Sequence, residues 1–238
     1  MSVKELRERT QAGFLDCKKA LDEAGNDIEK AVEILRQKGL AKANKRAGVD
    51  ALDGAVIIKN DGSSYGMLFF GTETDFVAKN DQFCKFADDE LKAFVSCSCD
   101  EITAMEVDGE SFANRLGYLA AKIGENIVLK NHCKMYSDEK GEVSFYLHNK
   151  LNDNFDNVAR IGVLLKTRGA SADVAKQLGM HIASFKPVAM NEAAMTEDQK
   201  ALVSAECKLK DLVLEMQSYL MDPSQTVSAF CKSNGIEI

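Results

Sequence analysis

Two stretches of this chain of 238 residues follow the same order of strand, turn, strand, bend and helix. The strands are short runs rich in aliphatic and aromatic residues, and Asn, Asp and Gly mark the turns between them. Strand pairs that alternate with helices are typical of α+β folds, so the repeat predicts an α+β core of two subdomains, residues 52–138 and 139–238. The segments of the first copy are residues 54–58, 60–62 and 65–70 and a helix from Asp75 or Asn80. Those of the second are residues 141–147, 152–154, 158–166 and 172–185, and a separate helix is predicted between the copies at 112–123.

The first 41 residues predict a separate domain of three short helices. Gly13 breaks the helical pattern after the first helix, and Asn26 is a capping residue at the start of the third. Gly39 stands where a glycine often ends a helix. Residues 42–51 are charged or small and lack apolar periodicity, so they are interpreted as a linker.

The composition predicts a folded, cytoplasmic protein. With 45% hydrophobic residues and two prolines, the chain can bury a core and does not resemble a disordered segment. No apolar run approaches the roughly 18 to 20 residues that span a bilayer, and no signal peptide is visible. The net charge is −7, and the excess of negative charge lies after residue 46. An acidic body disfavours direct binding to the phosphates of nucleic acids.

The sequence contains no motif for covalent catalysis or metal binding. A glycine-rich phosphate loop, a dinucleotide fingerprint and a Gly-x-Ser-x-Gly elbow are all missing. Of the three histidines, His132, His148 and His181, none stands in a recognisable catalytic constellation, and His181 is interpreted as a structural residue of a helix. We therefore expect a protein that is not an enzyme, without metal or cofactor. The seven cysteines, which include Cys97 and Cys99, are interpreted as reduced thiols, because their spacing does not fit a zinc site.

The sequence Thr-Asp-Phe-Val-Ala-Lys-Asn at residues 74–80 places an acid and a large aromatic residue where an apolar strand gives way to a helix. Thr, Asp and Asn are residues that cap the free amides at a helix start. Two interpretations of Phe76 remain open on this pattern. Phe76 and Val77 fold back as a small apolar staple beneath the helix, or Phe76 projects outward from the turn.

These seven residues resemble the signature of the elongation factor Ts family, whose members are guanine-nucleotide exchange factors for elongation factor Tu. The first 41 residues resemble the ubiquitin-associated-like domain of the same family. Weaker matches occur in the family's order along nearly the whole chain. The matching segments are residues 6–10, 13–21, 27–31, 122–126, 160–164, 180–187 and 222–227.

The resemblance implies that the chain binds elongation factor Tu and promotes release of its GDP. Asp75 and Phe76, flanked by Thr74 and Val77, would enter the partner near the magnesium ion that the partner holds. Phe76 would act as a wedge, because a large and stiff side chain displaces packed elements with little loss of rotamer entropy. The factor itself would need no cofactor.

The resemblance also implies a second set of contacts. The first domain would dock on the G-domain of elongation factor Tu, and the end of the central helix and one strand end would add further contacts. The residues predicted for these contacts are Arg9, Lys18, Lys19, Ile123, Gly124 and His148.

The chain departs from the family's pattern near its end. Only 34 residues lie between Pro187 and Asp222, where most members insert a long helical hairpin, so a short helix or two is expected around residues 200–214. The chain stops at Ile238, where members usually continue with a strand and a helix. The alternative function is an adaptor that binds ubiquitin-like proteins through the three-helix domain, but this leaves the remaining residues without a role.

Overall fold

The computed structural model describes residues 3–10, 12–46, 48–204 and 207–238, with the backbone alone at residues 40 and 42–46. The helices are α1 (Val3–Thr10), α2 (Phe14–Glu23), α3 (Ile28–Arg46), α4 (Asp75–Ala78), α5 (Asp81–Ser96), α6 (Phe112–Ile123), α7 (Ala172–Phe185), α8 (Glu197–Lys200), α9 (Leu209–Leu212) and α10 (Val227–Ser233). The strands are β1 (Asp53–Asp61), β2 (Ser64–Thr72), β3 (Glu106–Val107), β4 (Glu110–Ser111), β5 (Ile127–Tyr136), β6 (Glu142–Lys150), β7 (Val158–Thr167), β8 (Ser218–Tyr219) and β9 (Asp222–Thr226). Three helices are followed by groups of strands and helices, and the strands β1, β6 and β7 pair antiparallel, which confirms the predicted α+β class.

Both copies of the predicted repeat are present. β1 and β2 form the first hairpin, and β6 and β7 form the second. The helices α6 and α7 have the predicted bounds, because their apolar residues recur at helical spacing over the whole element. Asp75 and Asn80 both mark helix starts, since α4 begins at Asp75 and Asn80 caps α5.

The five longest strands form one sheet in the order β5-β2-β1-β7-β6. β6 and β7 pair antiparallel from Glu142 opposite Thr167 to Lys150 opposite Ala159. β1 is antiparallel to β7, with Val56 opposite Ala159. The two small ribbons, β3 with β4 and β8 with β9, were not predicted, because strands of two to five residues are too short for a periodic pattern.

The chain folds as two compact units. Unit 1 comprises residues 1–55 and 68–132, and unit 2 comprises residues 56–67 and 133–238. Unit 1 holds α1 to α6, and unit 2 holds α7 to α10. These units differ from the contiguous subdomains that the repeat predicts, because β1 and β2 each belong in part to both units.

The third helix is longer than the sequence predicts. α3 runs from Ile28 to Arg46, so Gly39 lies inside it and residues 42–46, which were assigned to the linker, are helical. A Cβ atom on Gly39 would lie 3.1 Å from the Cβ atom of Ala121 in α6. Glycine at this position therefore permits close packing of α3 on α6 and does not end the helix.

Each unit has its own apolar core. In unit 1 the three N-terminal helices bury Leu6, Leu21 and Ile28, and Phe83 of α5 packs edge to face on Phe70 of β2 at 5.6 Å. In unit 2 the chain from Leu214 to the C-terminus packs against α7 and β7. The buried residues of that core are Val163, Leu165, Leu178, Ala183, Leu214, Tyr219, Val227, Cys231 and Ile236.

The prediction that all cysteines are reduced is wrong at one place. Cys97 and Cys99 form a disulfide, whereas the other five cysteines are free. α5 ends at Ser96, and Cys97 then adopts an extended conformation. The bend that follows leaves the two Cα atoms 5.5 Å apart, a usual separation for a disulfide.

Candidate functional site

The motif at residues 74–80 forms a tight turn between β2 and α5. Thr74 is extended, with φ −128° and ψ 159°, and α4 follows it as a single helical turn. Asn80 then begins α5, because its side-chain oxygen accepts hydrogen bonds from the amides of Gln82 at 2.8 Å and Phe83 at 3.4 Å. We call residues 73–76 the β2–α4 turn.

The helix α4, which begins within this turn, buries its small apolar residues and exposes its largest one. Val77 is 3% exposed and Ala78 is fully buried, whereas Phe76 is 79% exposed. The interpretation of Phe76 as a staple beneath its own helix is therefore wrong. An exposed aromatic ring of this size, held on a short helix whose next two residues are anchored, is available to contact another molecule.

Hydrogen bonds hold the β2–α4 turn to the loop that follows α6. The carboxylate of Glu125 accepts from the amide of Thr74 at 3.1 Å and from its hydroxyl at 3.0 Å. In the reverse sense, the amide of Asn126 donates to the carboxylate of Glu73 at 2.5 Å. The hydroxyl of Thr72 also donates to the carbonyl of Thr74 at 2.8 Å. These bonds to a charged acceptor fix the backbone that carries Phe76.

The loop after α6 is shaped by a glycine. Gly124 has φ +86°, in the left-handed region, and its amide donates to the carbonyl of Ala120 at 2.8 Å. This arrangement ends α6 and directs Glu125 and Asn126 toward the β2–α4 turn. Ile123, the last residue of the helix, is half-buried, and Gly124 is exposed. The structure thus brings together two motifs that the sequence places about fifty residues apart.

Asp75 lies beside Phe76 and is half-buried. Its carboxylate forms an ion pair with the Lys79 ammonium at 2.6 Å, one helical turn away. This pair restrains the orientation of the carboxylate but leaves an oxygen atom able to accept a further hydrogen bond.

The three cations predicted for the first domain have different environments. The guanidinium of Arg9 forms two hydrogen bonds with the carboxylate of Glu29, at 2.7 and 3.2 Å. This pairing raises the pKa of Arg9 and lowers the pKa of Glu29, through the hydrogen bond first and the charge second. Lys18 and Lys19 are exposed on α2.

Sequence reasoning missed two exposed apolar residues of the same helix. Phe14 and Leu15 are 56% and 68% exposed at the start of α2. The face of α2 that enters the bundle consists of Cys17, Ala20 and Leu21. Phe14 and Leu15 lie outside this buried face of α2. The apolar pattern of the sequence does not show which apolar residues of a helix are exposed.

His148 belongs to unit 2, whereas the other predicted contact residues belong to unit 1. It is exposed near the end of β6, and its Nδ1 atom lies 3.1 Å from the hydroxyl of Tyr146. His181 is fully buried in α7, which confirms the structural interpretation. Its Nδ1 atom accepts from the amide of Leu220 at 3.1 Å, and its Nε2 atom lies 3.0 Å from Oε1 of Gln217.

The described part of the chain lacks two further features. Within it, no three or more His, Cys, Asp or Glu residues are grouped so that they could hold a metal ion. None of the helices described there has the length and apolar character needed to cross a membrane. What the site does provide is a rigid, exposed aromatic residue beside a carboxylate.

Comparison with known proteins identifies relatives along the whole chain. Residues 73–207, more than half of the chain, match the family model for elongation factor TS. The elongation factor Ts of Methylococcus capsulatus is 35% identical, that of Alkalilimnicola ehrlichii 34% and that of Salmonella newport 36%. Each alignment covers 99% of this chain and 87% of the relative.

Proposed function

This chain belongs to the elongation factor Ts family of translation elongation factors, and we propose that it binds elongation factor Tu and promotes the release of GDP. One observation carries the proposal: Phe76 is 79% exposed at the tip of a turn whose neighbouring residues are buried or hydrogen-bonded. An aromatic ring this exposed adds no buried apolar area to the core of its own protein. Aromatic side chains that insert into a partner often supply much of the binding energy of an interface.

The proposed mechanism uses Phe76 as a wedge. The ring enters elongation factor Tu close to its magnesium ion and separates elements that hold the metal and the phosphates of GDP. Thr74 and Val77 hold the turn rigid, so little conformational entropy is lost when the ring inserts. Asp75 accompanies the ring and offers a negative charge next to the displaced metal contacts. Each tenfold increase in the rate of release requires a barrier about 1.4 kcal/mol lower.

Further contacts hold the factor on its partner. The three-helix domain docks on the G-domain of elongation factor Tu, with Arg9, Lys18 and Lys19 on or beside the docking surface. Ile123 and Gly124, next to the loop that supports the wedge, form a second contact. His148, exposed on β6, forms a third.

The proposed activity involves no covalent chemistry and no cofactor of this chain. The magnesium ion and the nucleotide belong to the partner, and no direct contact with nucleic acid or membrane is proposed. Because the linkage is reciprocal, the factor that weakens GDP binding is itself bound more weakly when GDP is present. The factor, elongation factor Tu and GDP thus form a transient ternary complex, and GTP binding to elongation factor Tu then releases the factor. We propose that this cycle takes place in the cytoplasm.

Displacement of fluorescent GDP from preloaded elongation factor Tu tests the proposal. We expect the release rate, measured by stopped flow with excess unlabelled nucleotide, to rise with factor concentration and then saturate. The factor alone should bind no labelled GDP. An unchanged release rate at concentrations that saturate binding would exclude the exchange function.

The alternative function is an adaptor for ubiquitin-like proteins. One observation favours it, the exposed pair Phe14 and Leu15 on the three-helix domain. A pulldown with the full chain as bait, against elongation factor Tu and ubiquitin in parallel, separates the two functions. Retention of elongation factor Tu alone supports the exchange factor, and retention of ubiquitin alone supports the adaptor.

A further inference from the structure

The disulfide between Cys97 and Cys99 lies at the end of α5, apart from the residues of the proposed exchange site. The amide of Cys97 donates to the carbonyl of Ala93 at 3.0 Å and completes the last turn of the helix. Both cysteines are half-exposed. The segment that carries the disulfide is therefore in contact with solvent.

This disulfide is poorly placed to stabilise the fold. The stabilisation that a disulfide gives by restricting the unfolded chain grows with the length of the closed loop, and this loop contains a single residue between the cysteines. It also joins no two secondary-structure elements. Disulfides that are exposed and add little stability are typical of labile, regulatory or catalytic sites.

We propose that Cys97 and Cys99 form a reversible redox site that is closed by a glutathione-type disulfide and reopened by the corresponding thiol. In closure, one cysteine thiolate attacks a sulfur atom of the external disulfide, a mixed disulfide forms and one external thiolate leaves. The second cysteine loses its proton and attacks the protein sulfur of the mixed disulfide, and a second external thiolate leaves. The external disulfide is thereby reduced to two thiols while the protein dithiol is oxidised to one disulfide. Reopening is the reverse reaction.

The geometry assigns the first attack to Cys99. The Sγ atom of Cys97 lies 3.2 Å from the carbonyl oxygen of Phe94, so the reduced thiol can donate a hydrogen bond to that oxygen and is held against the end of the helix. Cys97 also stands at the C-terminal end of α5, where the helix dipole disfavours a negative charge. Cys99, three residues beyond the last residue of the helix, is farther from this end.

The site can be followed on one peptide. Trypsin cleavage after Lys92 and Arg115 releases residues 93–115, which contain Cys97 and Cys99 and no other cysteine. Cleavage after Lys200 and Lys208 releases a peptide that contains only Cys207, a half-exposed free thiol that serves as internal control.

The test equilibrates the full chain in buffers of graded glutathione to glutathione-disulfide ratio, blocks free thiols by alkylation and analyses both peptides by mass spectrometry. We expect the 93–115 peptide to change from a doubly alkylated form to an unalkylated form two hydrogen atoms lighter than the dithiol. The Cys207 peptide has no second cysteine, so it should stay alkylated or carry one glutathione that added thiol removes. If the 93–115 peptide stays doubly alkylated at every ratio, the proposal is wrong.

Two variants test the order of attack. In Cys97→Ser, the remaining Cys99 should collect one glutathione as a stable mixed disulfide, because no second thiol can displace it. In Cys99→Ser, Cys97 should form this adduct at least about threefold more slowly, because its sulfur lies against the carbonyl of Phe94 at the C-terminal end of α5. Equal rates, or a faster reaction at Cys97, would overturn the assigned order. Circular dichroism of both variants confirms that the comparison is made on folded protein.

Discussion

The two copies of the repeat place a turn at the same point, after the second strand of a hairpin and before a helix, but the two turns differ in what covers them. In unit 2, the β7–α7 turn (residues 168–171) follows the usual pattern, and the hydroxyl of Ser171 caps α7 by accepting from the amide of Val174 at 3.4 Å. In unit 1, Thr74 occupies the capping position, but its side chain bonds to Glu125 instead. The extra helix α4 then carries Phe76 outward.

The C-terminal segment covers the turn of unit 2. Arg168 and Glu237 exchange two backbone hydrogen bonds, at 2.9 and 3.0 Å, and Ala170 packs against the core that contains Ile236. Phe76 in unit 1 remains 79% exposed. The same local plan therefore yields a structural turn where the chain returns over it, and a candidate binding element where the turn is supported from one side only.

Of the two turns, the covered one should show the larger effect on stability. Gly169 has φ +81°, and a Cβ atom there would lie 2.5 Å from the carbonyl oxygen of Gly235. Gly169→Ala should lower the free energy of unfolding by about 3 kcal/mol, through left-handed strain and a backbone clash, measured by urea denaturation. Gly62→Ala is the matched control, because Gly62 has φ +64° with open space around it and should lose only about 1 kcal/mol. Equal losses would mean that the C-terminal segment is not held on the turn.

The second prediction concerns the exposed turn. Phe76→Ala should slow GDP release from elongation factor Tu by about tenfold or more, about 1.4 kcal/mol in the barrier, with an unchanged melting temperature. Phe83→Ala is the control, because this ring is fully buried and its removal should cost about 3 to 5 kcal/mol of stability. Stopped-flow exchange and thermal melts are measured on both variants. If Phe76→Ala loses stability while exchange per folded molecule is intact, the wedge is refuted.

How much of this was predictable depends on the range of the interactions. The hairpins, α6 and α7 were predicted because their apolar periodicity is local. The hydrogen bonds of Thr74 to Glu125 and the packing of Gly39 on Ala121 join residues that are distant in the sequence. The sequence pattern could therefore identify the motif at residues 74–80 but could not show that Phe76 is exposed. The helix start at Asn80 was predictable from the sequence, because a capping side chain bonds only to amides two or three residues away.

The third prediction concerns the pH dependence of stability in unit 2, where His181 of α7 contacts the C-terminal segment. Burial lowers the pKa of His181, so the native state favours the neutral ring while the unfolded chain titrates near 6.5. Below that pH the unfolded state binds the extra proton, and stability should fall by up to about 1.4 kcal/mol per pH unit until the folded pKa is passed. A proton on Nδ1 would also face the amide of Leu220, which donates to that atom in the native state. Urea midpoints between pH 7.5 and 5 measure the loss.

His181→Asn is the control for the pH dependence. The variant is less stable overall, but the part of the slope that comes from this ring should disappear. If the slope between pH 7.5 and 5 is identical in both proteins, His181 does not hold the C-terminal segment in a pH-dependent way.

The smallest expected effect concerns the support of the exposed turn. Glu125→Ala removes the acceptor of both bonds from Thr74, whereas Thr74→Val removes the hydroxyl and keeps the amide. A double-mutant cycle on unfolding free energy should give a coupling of about 1 kcal/mol, the usual net contribution of an intramolecular hydrogen bond. Exchange should fall about threefold in Glu125→Ala, because the ring of Phe76 is retained but its position is less defined.

Additive stability losses would show that the two residues do not interact. A fall in exchange as large as that of Phe76→Ala would place Glu125 in contact with the partner itself, since loss of support alone leaves the wedge present.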